Sequence, residues 1–324
     1  MKAQLFEITH TTLYRYTSPV SVSHNLLRLA PRSLPCQHAL SHAIEISPQP
    51  STTRIRTDYF GNQVMFATIA ETHNELRVVA RSQVAIGPPP LPDPAETPAW
   101  ETVGVICRSD HSQSVMEAAE FTFASPHVPV SSAYADYAEP SFAPRRPFLE
   151  AVLDLTARIH RDFAFDPTAT TVATPLEEVL QLRRGVCQDF AHFEIACLRA
   201  LGLPARYISG YLETLPPPGQ AKLTGSDASH AWISIFCPGL GWIDVDPTNN
   251  LLPSMQHITV GWGRDYADVC PIRGVLSGGG ETPALEVSVD VLAQGTLEIN
   301  SSLRGNDHGR QAGDYAISQT NINP

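Results

Sequence analysis

Between Leu5 and Ile86 apolar and polar residues alternate with a period of two, through LFEITHTTLYRY, HAIEIS, RIRTDYFGNQVMFATIA and LRVVARSQVAI. Successive side chains of a strand point to opposite faces, so these segments describe half-buried strands, with Leu76, Val78 and Ala80 on one side of the last. Tyr59-Phe60-Gly61-Asn62 breaks the alternation as a turn. Residues 1–86 are expected to form an N-terminal β-sandwich domain. In GPPPLPDPAETPAW, residues 87–100, six prolines in fourteen residues remove backbone donors and stiffen the chain, so this stretch is expected to be a linker. A helical period then sets in. In RPFLEAVLDLTARIHRDF, Pro147 suits the first turn and Phe148, Val152, Leu155 and Ile159 recur on one face. A second helix follows Cys187, with Phe190, Phe193, Cys197 and Leu201 on one face, Ala191, Ile195 and Leu198 beside it, and Gly202 and Pro204 to stop it. Alternation returns in ASHAWISIF, GWIDVDPT and PALEVSVDVLAQGTLEI, where Leu285, Val287, Val289 and Val291 share a face. The pattern predicts an α+β domain over 101–300, followed by a polar, aperiodic and loose tail over 301–324.

Composition narrows the function classes. With 22 Lys plus Arg against 33 Asp plus Glu, the net charge is −11. A chain that tracks phosphates or anionic lipid needs a basic footprint, so neither nucleic acid nor a membrane surface is expected as a partner. At 43% hydrophobic and 17% charged residues the chain can bury ordinary cores. The first residues lack the charged and apolar regions of a secretory signal. The six cysteines, 36, 107, 187, 197, 237 and 270, form no CxxC pair or dense framework, which fits a reducing compartment. A cytoplasmic, disulfide-free protein is expected.

Cys187 sits where unpaired N–H groups and the positive end of the helix dipole would favour a thiolate. Cys197, ten residues along the same helix, lies roughly 15 Å away at the standard rise, too far for a disulfide or a shared metal, and is expected to fill core. A nucleophilic thiolate needs a base, and the base an orienting group. In SDASHAWISIFCPGLGWIDVDPTNN, His230, Trp232, Ser234 and Phe236 share one side of a strand, and Trp242, Asp244 and Asp246 one side of the next. A three-residue loop at Cys237, Pro238 and Gly239 would pair Phe236 with Leu240 and place His230 opposite Asp246, while a shift of two would bring Thr248 there instead. An interior histidine and a turn-capping aspartate are the bland alternatives. Cys36, His38 and His42 lack a fourth zinc ligand, and Gly278-Gly279-Gly280 lacks the Lys of a phosphate loop.

GVCQDFAH around Cys187, SHAW around His230 and DPTNN containing Asp246, in that order, resemble the bacterial transglutaminase-like proteins of the papain-like cysteine enzyme superfamily. RALGLPARYISGY and GRDYADVCPIRGV extend the resemblance, and THTTLYRY and DYFGN are similar to the family's companion N-terminal β-domain. It implies a papain-like core, a central helix packed on an antiparallel sheet, with Cys187 as nucleophile, His230 as general base and acid, and Asp246 as its orienting partner. The activity implied is acyl transfer from a peptide or protein amide through a thioester released by water, with release by a primary amine acceptor as the alternative, and without cofactor or metal. A non-catalytic binding or scaffold protein on the same fold is the alternative from another class. Where the family often carries a Tyr or Trp upstream of the Cys, this chain has Phe163 and Phe165, which donate nothing. That leaves the second oxyanion donor unassigned, with Gln188 and Trp232 as candidates and Trp232 equally a ring packed beside the site. Trp232, Trp242 and Trp262 could shape an acceptor channel, though aromatic residues near paired strands are more often core, and residues 213–229 are expected to overhang the site as a surface loop.

Overall fold

The computed structural model describes residues 2–214 and 227–298. The tail and residues 215–226 of the expected overhanging loop lie outside them. Five strands come first, β1 (Lys2–Leu27), β2 (Gln37–Ser47), β3 (Thr52–Thr57), β4 (Gln63–Ile69) and β5 (His73–Ile86). Then come α1 (Trp100–Ser109), α2 (Gln113–Ala119), α3 (Ser132–Ala138), α4 (Phe148–Asp162), β6 (Ala164–Phe165), α5 (Leu176–Leu182), β7 (Arg184–Gly185) and α6 (Cys187–Ala200). The chain continues through β8 (Ala205–Leu212), β9 (Ala228–Cys237), β10 (Gly241–Val245), β11 (His257–Gly263), α7 (Tyr266–Val269), β12 (Ile272–Gly278) and β13 (Ala284–Glu298).

The long β1 organises the first sheet. Its first half, Gln4–Arg15, lies between β5 and β13, and its second half, Ser23–Leu27, between β4 and β12. The register breaks between Arg15 and Val20, around Pro19, which has no N–H to give to a ladder. Leu27 of the second half packs with Ala67 and Ile69 of β4 and with Leu76, Val78 and Ala80 of β5, so the two halves enclose one apolar layer as a sandwich.

β12 and β13 correct the expected domain limits: they fall within 101–300 in sequence but hydrogen-bond to β1, Lys2 opposite Glu298. Alternation marks a segment as a strand without naming its neighbour. The 26-residue β1 presents backbone donors and acceptors on both sides, and these two strands satisfy them.

The second sheet is antiparallel, in the order β10-β9-β8-β11. Its Ala231, Ile233 and Ile235 pack with Phe190, Phe193 and Cys197 of α6, all nearly or wholly buried. Each large side chain of this kind contributes about 1.5–3 kcal/mol on leaving water. Cys197 is thus core, its thiol pKa pushed up by burial. α6 ends as its sequence directs, with Gly202 in the left-handed region at φ +74 and its N–H given to Arg199. α4 begins one residue later than expected, with Pro147 as its cap, and buries Phe148, Val152, Leu155 and Ile159 completely.

The sheets meet along an apolar seam of Phe6, Ile8, Val84, Val289 and Val291 against Tyr211, Ile258 and Val260. Beside it the outer edge of β11 is closed by two amide side chains. Gln37 receives the Thr259 N–H at 2.8 Å and gives its own to the Thr259 carbonyl at 2.7 Å. Asn62 treats Trp262 the same way at 3.0 and 2.9 Å. The N-terminal domain thereby fixes the strand on which one residue of the site stands.

Candidate active site

Cys187 is the first residue of α6, half-buried; the Asp189 N–H already reaches the Val186 carbonyl at 2.9 Å, and the Cys187 and Gln188 N–H groups precede the first helical bond. The turn is held by Asp189, whose Oδ2 accepts the Val186 N–H at 2.8 Å and the Thr170 hydroxyl at 2.6 Å. Gly185 permits this closeness, since a Cβ there would lie 2.4 Å from Asp189 Oδ2.

The hairpin brings His230 to Asp246, but in a different register from the one expected. Cys237 pairs with Gly241, Phe236 with Trp242 and Ser234 with Asp244, a slip of two that leaves Pro238, Gly239 and Leu240 as the loop. Gly239 and Gly241 both stand at positive φ, +86 and +84, which lets the turn close one residue later on each side. A slip of two keeps every side chain on its face. Asp246, just beyond β10, therefore still reaches His230 on the diagonal, with Oδ2 2.7 Å from His230 Nε2.

Asp246 is wholly buried and surrounded by donors. Oδ2 accepts from His230, from Asn249 Nδ2 at 2.7 Å and from His257 Nε2 at 3.0 Å. Oδ1 accepts the backbone N–H groups of Thr248 at 2.9 Å and Asn249 at 3.1 Å. Burial pushes the Asp246 carboxyl pKa up, yet these bonds and the neighbouring imidazole hold it well below the usual range. For His230, burial lowers the pKa. Hydrogen bonds to Asp246 and Cys187, together with their charges, outweigh it and raise the group to about 9. With Nε2 on Asp246, Nδ1 is the ring nitrogen left for the sulfur. Glu194, on the same helix as Cys187 and fully buried, is pushed up to about 8 by desolvation, with Asp246 adding to the shift. The atoms of His230, Asp246 and His257 lie within 4.8 Å of one another, a spacing a metal ion could span. Their 2.7 and 3.0 Å separations are those of hydrogen bonds, and no further ligating group of this kind joins them among the described residues.

Trp232 is not an oxyanion donor. Its ring is fully buried and its Nε1–H goes to Asp244 Oδ2 at 3.0 Å. The ring lies over Gly210, the residue paired with His230, where a Cβ would come 2.5 Å from Trp232 Cη2. Nor do the tryptophans line a channel: Arg206 is stacked between Trp242 and Trp262, at 4.1 and 3.8 Å, and Arg32 covers Trp262 at 3.5 Å. Gln188 is half-buried on the wall of a cleft of about 410 Å³ shared with His127, Asp189 and His192. Phe163 is core and Phe165 is exposed. His42 is bonded through Nδ1 to Ser82, and no metal-ligating group with Cys36 and His38 occurs among the described residues. Sequence reasoning missed His257, Asn249 and Glu194. DPTNN already contained Asn249, but nothing distinguished His257, at the head of an alternating strand, from other histidines.

Residues 6–85 match the bacterial transglutaminase-like N-terminal region, and residues 135–247 the transglutaminase-like superfamily core, which includes Cys187, His230 and Asp246. An uncharacterised protein of Mycobacterium bovis is 40% identical over 89% of this chain and 92% of its own length. A protein-glutamine gamma-glutamyltransferase of Pseudomonas aeruginosa is 33% identical over 31% of this chain but only 16% of its own length. The fold is shared with a candidate cysteine protease of Cytophaga hutchinsonii, at a TM-score of 0.74 and 22% identity, covering 92% of this chain and 94% of that one.

Proposed function

Since the chain belongs to the bacterial transglutaminase-like family, we propose that it is a cysteine-dependent acyl-transfer enzyme that opens an amide or peptide bond through a thioester on Cys187. The observation that carries this reading is one imidazole, His230, bonded to Asp246 at 2.7 Å, with its pKa raised by Asp246 and by Cys187 at a helix start. Cys187 Sγ attacks the carbonyl carbon, and the C–N bond breaks as His230 gives its proton to the departing nitrogen. Water then yields a proton to His230 and its oxygen to the acyl carbon, the C–S bond breaks, and the carboxylic acid leaves. Asp246 stabilises the imidazolium throughout. The Cys187 backbone N–H serves the oxyanion, and the neighbouring Gln188 is the side chain proposed as second donor. The compartment proposed is the cytoplasm, on the scattered cysteines. Similarity to the Pseudomonas gamma-glutamyltransferase favours a second reading, in which a primary amine replaces water.

The test measures ammonia or new amino groups released from a peptide panel alongside incorporation of a labelled amine, with Cys187→Ala as control. Release without incorporation at low amine concentration supports hydrolysis. Preferential incorporation supports amine transfer. Activity that survives in Cys187→Ala, or none in the wild type, removes the proposal and leaves a binding protein.

A further inference from the structure

Asp246 receives more donors than a carboxylate is built for. Its two oxygens offer about four lone-pair sites, and five donors converge on them, three of these on Oδ2 alone. The three compete, so the lone-pair density available to His230 depends on the other two. Asn249 is also part of the turn that carries Asp246, and its backbone N–H, with that of Thr248, anchors Oδ1. His257 is different in kind: it arrives from β11, on the far side of β8 from His230. The Thr248 and Asn249 bonds would hold Asp246 in place without it. A carboxylate can only accept, so His257 presents Nε2–H. Its other nitrogen, Nδ1, is buried with no partner among the described residues, and its ring stands edge-on to Trp232 at 5.2 Å. A residue needed only to fill this space would do so better without a stranded nitrogen.

We propose that His257 is a positioning residue that acts through Asp246, drawing part of the carboxylate away from His230 so that the His230 proton stays transferable. Its consequence for turnover rests on the acyl-transfer reading, whereas its effect on His230 does not. Among the described residues, the ionisable groups facing the pair are Cys187 and Glu194 from α6 and His257 itself from β11. Without the competing donor, Oδ2 binds the His230 Nε2–H more fully and the imidazole holds its proton to higher pH.

The experiment is an NMR titration of the histidine Cε1–H signals, with His230 assigned by the resonance lost in His230→Gln. His257→Phe, which keeps a ring and removes the donor, is expected to raise the His230 midpoint by roughly half to one pH unit. His257→Gln, whose amide N–H can reach Oδ2, is expected to return it toward the wild-type value. Glu194 titrates in an overlapping range but is common to all variants, so the difference between them is what is read. In turnover the Phe variant loses roughly 3- to 10-fold in kcat with KM unchanged, because a weaker acid protonates the leaving nitrogen. If His257→Phe does not fold, His257→Asn, whose amide stops short of Asp246, is expected to show the same upward shift. An unchanged or lower midpoint, or a Gln variant that resembles Phe, overturns the proposal. If Cys187 is not reactive in the wild type, the acyl-transfer reading fails while the titration still decides on His257.

Discussion

Replacing Asp246 by Asn changes one atom and reverses the polarity at one end of a hydrogen-bond hub. The backbone N–H groups of Thr248 and Asn249 would keep the carbonyl oxygen at the Oδ1 position, so the new NH₂ takes the place of Oδ2. There it faces His230 Nε2 at 2.7 Å, Asn249 Nδ2 at 2.7 Å and His257 Nε2 at 3.0 Å, donors all. Charge-assisted bonds of this kind are worth about 1.5–3 kcal/mol each and are not additive. Breaking a buried pair from one side typically costs about 3–5 kcal/mol, which is the loss expected for Asp246→Asn. His230 would also turn to the tautomer that accepts from the amide, the wrong one for taking a proton from Cys187, and turnover is expected to fall roughly 10⁴-fold. Asp244→Asn is the control. Its hydrogen bond from Trp232 Nε1 can be kept by the amide oxygen, while its charge beside Arg206 is lost, so a loss of about 1 kcal/mol and a change in turnover within about threefold are expected. Urea denaturation monitored by circular dichroism measures the first quantity, and initial rates on any substrate the wild type turns over measure the second. The pH dependence has a definite sign. The Asp246 carboxyl is held low in the fold, so its stabilisation is present above the unfolded carboxyl range and disappears as pH falls through the depressed value. The gap between wild type and Asp246→Asn should therefore narrow in acid. Equal effects of the two substitutions, or a gap that widens in acid, would refute the hub.

Gly210→Ala sets a Cβ 2.2 Å from the Ile258 carbonyl and 2.5 Å from the Trp232 ring, so β8 and β11 must part or the ring must move. A loss of about 1–3 kcal/mol, with slower Cys187 alkylation, should appear together in denaturation and labelling. Glu194→Gln keeps the shape of the protonated acid. Because the Glu194 pKa is raised from 4.5 to about 8, wild-type stability declines relative to the variant as pH rises between those values. Melting curves should coincide near pH 4 and separate by pH 8 in favour of the variant, by an amount on the order of a few kcal/mol. The His230 pKa is raised to about 9, so its contribution to stability is complete below 6.5 and lost as pH rises through 9, and turnover should fall on the same basic limb.

The residues that meet at the candidate site were more legible in the sequence than the connections of the chain around them. Cys187 could be placed because a helix start is marked by local features: the onset of 3.6 periodicity and the stop at Gly202. The His230 to Asp246 contact could be placed although the pairing proposed for it was off by two, because strand faces repeat every second residue and the contact survives on the diagonal. The register itself depended on which residues of CPGLG take positive φ, and two glycines in five residues left that undecided. Domain limits were not legible at the C-terminal side, since β12 and β13 pair with β1 across more than two hundred residues and alternation carries no address. His257 was hidden for a similar reason: β11 comes next to β8 only once the whole sheet is assembled. Trp232 stayed open between a donor and a packed ring because an indole that could donate to an oxyanion can equally donate to a carboxylate, and only the register reveals that Asp244 is there.

The central claim, that Cys187 is the nucleophile and His230 its partner, is tested most directly by limiting iodoacetamide labelling of the folded protein near neutral pH, followed by peptide mapping of the six cysteines. Cys187 is expected to label first, with the rate reduced at least tenfold in His230→Ala, by the order of magnitude that loss of an imidazolium partner implies. Labelling of Cys36, Cys107 or Cys270 ahead of Cys187, or a Cys187 rate indifferent to His230, would contradict it.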